Sequence, residues 1–205
     1  MFKMQMVFAF LSAILPLRLG FAQEGSSSKE YVLGWVTPDS LCRACPEFQP
    51  TPGAYQPSER ALQLLRCYDE PATVLIFFGS WCGDSKREVP RFYAALDRAA
   101  NKNFTARLFG LDRSKKDAAG FAEAFGITHV PTFIFLNGNR VFSSNSQAFI
   151  EQTTGELGRI TETPATSLEQ DWTDILKHNE AWARKMEWER RLYLWLLSIT
   201  LFAIH

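Results

Sequence analysis

The sequence is poor in the residues that build metal centres. Three histidines and four cysteines are spread over 205 residues. Cys42 and Cys45 make half of a zinc site, but there is no second Cys-x-x-Cys, and His129 is the only histidine of the central region. No metal and no organic cofactor is expected. Neither sign of charge dominates, with 22 Lys and Arg against 22 Asp and Glu, so nothing points to a nucleic-acid partner. No apolar run reaches the roughly 20 residues that a membrane-spanning helix needs. Internal repeats are absent, and no cysteine stands at position 23 to carry a lipid anchor.

The N-terminus has the pattern of a secretory signal. Lys3 supplies the basic start, residues 4–15 are apolar but for Gln5 and Ser12, and Gly20-Phe21-Ala22 offers small residues for cleavage. A cleaved signal at 1–22 implies a periplasmic or secreted protein, in a compartment where disulfides persist. A serine-rich linker follows at 23–30.

The stretch VLIFFGSWCGDSKREVPRF, residues 74–92, organises the rest. Its first five residues form a continuous apolar run, the pattern of a strand buried on both faces. Gly79-Ser80 breaks the run, Trp81-Cys82 follows, and a helical pattern opens at Asp84-Ser85. Cys82 therefore lies where a strand ends and a helix begins. Helix-terminal N–H groups and the positive end of the dipole favour a thiolate there, and the thiolate is the nucleophile. Lys86 and Arg87 would reinforce that preference, and Asp84 would oppose it.

Elsewhere the pattern predicts a short strand at 31–36, a turn or helix start at 37–39, and a loop at 49–57. Ser58 is expected to cap a helix at 59–68. Further strands are expected at 105–111, 132–136 and 157–162. Helices are expected at 85–100, 115–125, ended by Gly126, and 168–177, capped by Ser167. Asn137-Gly138-Asn139 reads as a hairpin turn leading to a return strand at 140–142. Residues 143–156 read as an insertion with a short helix at 147–152. Cys67 is expected to be a buried small hydrophobe or a partner for the N-terminal segment.

Trp81-Cys82-Gly83, Pro90 and the downstream motif Phe125-Gly126-Ile127-Thr128-His129-Val130-Pro131-Thr132 together resemble the thioredoxin superfamily. The nearest pattern is its periplasmic TlpA-like branch, with a monothiol WCxDS motif. The resemblance covers about residues 67–178 and implies a thioredoxin-like α/β fold, a central mixed β-sheet flanked by α-helices. The chain then divides into a signal (1–22), an N-terminal extension with the CxxC (23–66), the thioredoxin-like domain (67–178) and a C-terminal helical hydrophobic tail (179–205). It implies Cys82 as nucleophile, a cis proline at Pro131 facing it, and substrate backbone laid along Trp81, Gly83 and Val130. The implied partners are protein or small-molecule thiols and disulfides.

Two departures stand out. The family's second active-site cysteine falls on Ser85, which can hydrogen-bond a thiolate but cannot resolve a mixed disulfide. The buried acid that many members carry falls on Ile76. Cys42 and Cys45 could resolve the Cys82 adduct instead, or form a structural disulfide. His129 could act as a base or simply pack. The expected activity is exported thiol–disulfide exchange through one cysteine. The competing reading is a non-catalytic binding module of the same fold, held at a membrane surface through 188–204. There Trp188, Leu192, Trp195 and Ile199 follow helical spacing, a pattern more common in a stripe packed on a domain than in a binding surface, so the expectation is an interfacial helix or a helix packed on the domain.

Overall fold

The computed structural model describes residues 31–139 and 155–202, with side chains as far as Trp195. The expected signal, the linker, the return strand at 140–142, and the helix at 147–152 with all but the end of its insertion lie outside the described residues. In chain order the elements are β1 (Gly34–Val36), α1 (Pro38–Ala44), a 3-10 turn (Pro46–Phe48), α2 (Glu59–Cys67), β2 (Ala72–Phe78) and α3 (Gly83–Ala99). They continue with β3 (Phe104–Gly110), α4 (Phe121–Ala124), β4 (Thr132–Asn137), β5 (Glu156–Thr161), α5 (Leu168–Leu176) and α6 (Glu180–Phe202).

The five strands form one mixed sheet in the order β1-β3-β2-β4-β5. β2 runs parallel to β3 and antiparallel to β4, and both edge strands pair antiparallel. All seven residues of β2 are buried, as its unbroken apolar run requires of a central strand. Side chains alternate along it, so Val74, Ile76 and Phe78 join one apolar cluster while Leu75 and Phe77 join another. The first cluster holds α2, α3 and α5 against the sheet. Trp172 is its hub, stacked on Phe92 at a centroid distance of 4.9 Å and edge-on to Phe104 at 4.8 Å. The second cluster, under α4, contains Cys82. This is the expected α/β architecture, a mixed sheet flanked by helices.

Three local expectations are corrected. The helix predicted over 115–125 shrinks to Phe121–Ala124. Asp117 accepts from the N–H groups of Ala119, Phe121 and Ala122, while Lys115 and Gly120 adopt positive φ, so the chain turns where helix was expected. Ser58 stands at the N-cap of α2, but its hydroxyl makes no capping bond. Its N–H instead donates to Glu169 Oε1 at 2.9 Å. Cys67 is exposed, because α2 buries Ala61, Leu62 and Leu65 and turns position 67 outward. The tail is one helix through residue 202, anchored by Trp182, which is buried in the first cluster. Among the described residues no helix is long and apolar enough to cross a membrane.

Candidate active site

β2 delivers the chain to the site and α3 carries it away. Ser80 and Cys82 are both buried in the turn between them. Ser80 Oγ accepts from Val32 N–H at 3.1 Å, which ties the segment before β1 to the turn. Gly79 admits the Trp81 ring: a Cβ at position 79 would lie 2.7 Å from the indole. The indole N–H donates to Leu111 O at 3.0 Å, which fixes the ring as a wall beside the cysteine.

Cys82 is the N-cap of α3 and Gly83 its first residue. Gly83 is exposed, with open space where a side chain would stand. Ser85, third in the helix, is fully buried and its Oγ accepts from Gly79 N–H at 3.1 Å. The serine therefore closes the turn from within. The Val130–Pro131 peptide is cis. Cys82 Sγ donates to Val130 O at 3.1 Å, so the thiol and the proline loop are in direct contact across 48 positions of sequence. Pro131 O accepts from Glu162 N–H at 2.7 Å, which joins the loop to the end of β5.

The sequence model of a family described as thioredoxin matches residues 49–171. The chain belongs to the thioredoxin family. No curated protein matches its sequence. Solved structures that match include a protein of unknown function from Pseudomonas aeruginosa, at 14% identity and a TM-score of 0.41, covering 62% of this chain and 75% of that one. Another is an HIV epitope-scaffold, at 17% identity and a TM-score of 0.38, covering 59% of this chain and 63% of the scaffold.

The charged residues near this thioredoxin-family turn are engaged with one another. Lys86 pairs with Glu47 at 2.7 Å. Arg87 pairs with Asp84 at 2.8 Å and with Glu88 at 2.6 Å, and it donates to Thr163 Oγ1 at 3.3 Å. Arg87 thereby straps the first turn of α3 to the chain just beyond β5. Glu88 is buried, and its Oε1 also accepts from Arg91 at 3.1 Å. Sequence reasoning missed Glu88, because an acid six residues after the cysteine sits among charged neighbours that suggest an exposed face. Ile76, where many members keep an acid, is fully buried in the first apolar cluster. His129 is exposed and its ring contacts Thr128 Oγ1 at 3.0 Å.

All four cysteines are thiols in the structure. Cys42 lies in α1 and Cys45 caps its end. Both pack against the first apolar cluster, whereas Cys82 belongs to the second. Burial pushes the Cys42 thiol above its ordinary pKa, and Asp39 adds to the effect. Burial and Glu47 likewise raise Cys45, against an opposing pull from Lys86. Neither thiol is poised as a ready thiolate. Among the described residues no three His, Cys, Asp or Glu side chains gather as metal ligands.

Proposed function

We propose that the protein is an exported thiol–disulfide oxidoreductase that works through Cys82 alone. The observation that carries this reading is the contact of Cys82 Sγ, at the N-cap of α3, with the carbonyl of the cis Val130–Pro131 peptide at 3.1 Å. In the proposed reaction the Cys82 thiolate attacks a substrate disulfide, R–S–S–R′. The Cys82–S–S–R bond forms, the R–S–S–R′ bond breaks and R′S⁻ leaves. An external thiolate then attacks the sulfur of R, which releases R in a new disulfide and restores Cys82. Pro131 and Val130 orient the substrate, Trp81 walls the site and Gly83 leaves room for its backbone. Export rests on the basic, apolar and small-residue sequence pattern of residues 1–22.

The test is to expose the full chain to a small disulfide and map the adducts by peptide mass spectrometry. Cys82 should be modified faster than Cys42, Cys45 and Cys67, and Cys82→Ser should abolish disulfide exchange. Equal or slower modification of Cys82, or exchange that survives Cys82→Ser, overturns the reading.

A second reading, a module resting on a membrane surface, is favoured by α6. Beyond Trp182 it exposes Trp188, Tyr193, Leu194 and Trp195, each more than half accessible. Aromatic side chains next to basic ones suit the lipid–water boundary, and Arg190 and Arg191 lie among them. Attachment through α6 is compatible with exchange at Cys82, and it is inactivity of Cys82 that would leave the non-catalytic binding module as the reading.

A further inference from the structure

The loop after β3, whose later part sequence periodicity assigns to a helix, touches Trp81 and is rich in cations. It leaves β3 as Leu111-Asp112-Arg113-Ser114-Lys115-Lys116-Asp117 and reaches α4 at Phe121. Its two acids are turned onto the chain itself. Asp112 Oδ1 accepts from the Ser114 N–H at 2.8 Å and from the Ser114 hydroxyl at 2.5 Å. Asp117 is taken up by three backbone N–H groups, those of Ala119, Phe121 and Ala122, at 3.0, 3.1 and 2.7 Å. Such bonds satisfy a carboxylate locally. No ion pair among the described residues involves Arg113, Lys115 or Lys116.

One of the three cations borders the site directly, and the other two follow it on the same loop. The Arg113 guanidinium lies 4.8 Å from the ring centroid of Trp81, the residue before the nucleophile. Lys115 and Lys116 line a cavity of about 560 Å³ that Ile127 and Thr128, on the segment leading into Val130–Pro131, line as well. That volume lies within the range of about 300–1,000 Å³ of small-molecule sites. Glu123 also lines the cavity, from α4. It is the single acid there that no backbone N–H takes up, against two lysines and the neighbouring Arg113.

We infer that this cavity receives the carboxylate-bearing part of a small anionic disulfide while one of its sulfurs reaches Cys82. The inference rests on the proposed exchange at Cys82 and adds the substrate class. Arg113 and Lys115–Lys116 attract the anion, and Thr128, two residues before Val130, offers a hydroxyl at the edge of the cavity that leads toward the cis-proline loop. The exchange itself is unchanged: the Cys82–S bond forms, the substrate S–S bond breaks, and the departing anionic thiolate takes a proton from water. A second thiol regenerates Cys82.

The experiment compares two disulfides on the full chain. Glutathione disulfide is the anionic probe and bis(2-hydroxyethyl) disulfide the neutral one. The reading is the ratio of their second-order rate constants for adduct formation at Cys82, followed by mass spectrometry at low and high salt. Wild type should favour the anionic probe by about tenfold at low salt, the lower range of electrostatic enhancement, and high salt should shrink the ratio. Lys115→Gln with Lys116→Gln should bring the ratio near one, and Lys116→Gln alone, at an exposed position, should lower it part-way. A wild-type ratio near one, or a ratio that the substitutions leave intact, overturns the substrate class while exchange at Cys82 stands. If neither probe modifies Cys82, the proposed oxidoreductase reading fails and the substrate class falls with it.

Discussion

By its resemblance to the family motif Ser85 falls where a resolving cysteine would stand, and its replacement separates structure from chemistry. The side chain is fully buried and its oxygen accepts the Gly79 N–H at 3.1 Å. Ser85→Ala removes the acceptor and leaves that N–H unpaired in the interior. Such an orphaned group costs about 1–3 kcal/mol. A loss of about 2 kcal/mol corresponds to a fall of about 4–8 °C in melting midpoint for a chain of this size. Ser85→Cys retains a weak acceptor and should lose less, about 1 kcal/mol. It also places a second sulfur at the third residue of α3, with Cys82 at the N-cap. Those two positions exchange hydrogen bonds in a capping box, so their side chains can meet. The assays are denaturant midpoints for the three proteins and the lifetime of a Cys82 mixed disulfide after free thiol is removed. In wild type the adduct should persist until thiol is added back. In Ser85→Cys it should decay on its own as an intramolecular disulfide forms. Wild-type stability in Ser85→Ala, or an adduct as long-lived in Ser85→Cys as in wild type, would refute the reasoning.

Glu169, buried in the first turn of α5, accepts from Ser58 N–H and from the Tyr55 hydroxyl. Burial pushes its pKa up, but the bonds from Ser58, Tyr55, its own N–H and Ser167 outweigh that and hold it below the ordinary value. A lowered pKa contributes stability that is full above the unfolded value of about 4.3 and is lost as pH falls through the folded one. The stability advantage of wild type over Glu169→Gln should therefore be constant near neutrality and shrink below about pH 4. A difference in denaturation midpoint that ignores pH would refute this account. For α6, removal of residues 188–205 should cut co-sedimentation with anionic lipid vesicles at least about tenfold, as expected when several interfacial aromatics are lost. Equal sedimentation of the full and shortened chains would refute the membrane-surface reading.

The centre of the fold was legible because its signals are local and unambiguous. β2 declares itself by an apolar run without polar interruption, and burial of all seven residues follows from that pattern. The strand–turn–helix around Cys82 could be placed from Gly79-Ser80 and the helical spacing after it. What escaped the sequence depends on partners far along the chain or on side chains that compete with the backbone. The Ser58 N–H finds Glu169 across 111 positions, and no local pattern announces that. The loop at 112–120 has helix-forming residues, yet Asp117 draws the backbone N–H groups to its own carboxylate and the helix starts only at Phe121. The carbonyl of Val130 as the partner of Cys82 Sγ could be approached only through the resemblance of the two motifs, since 48 positions separate them.

The distribution of the cysteines constrains how a reaction at Cys82 could end. The sheet separates two apolar clusters, and the thiols are divided between them: Cys42 and Cys45 pack on one, Cys82 on the other. Both thiols of the pair are also pushed toward their protonated forms, largely by burial, which slows attack on a mixed disulfide at neutral pH. Ser85 offers no sulfur. The division of the thiols between the clusters, the raised pKa of the pair and the CGDS sequence support the proposal that the second thiol of the cycle comes from outside the chain. A single cysteine relieved from outside needs selectivity at its entrance, and in the proposed substrate class Arg113 beside Trp81, followed on the same loop by Lys115 and Lys116, would supply it.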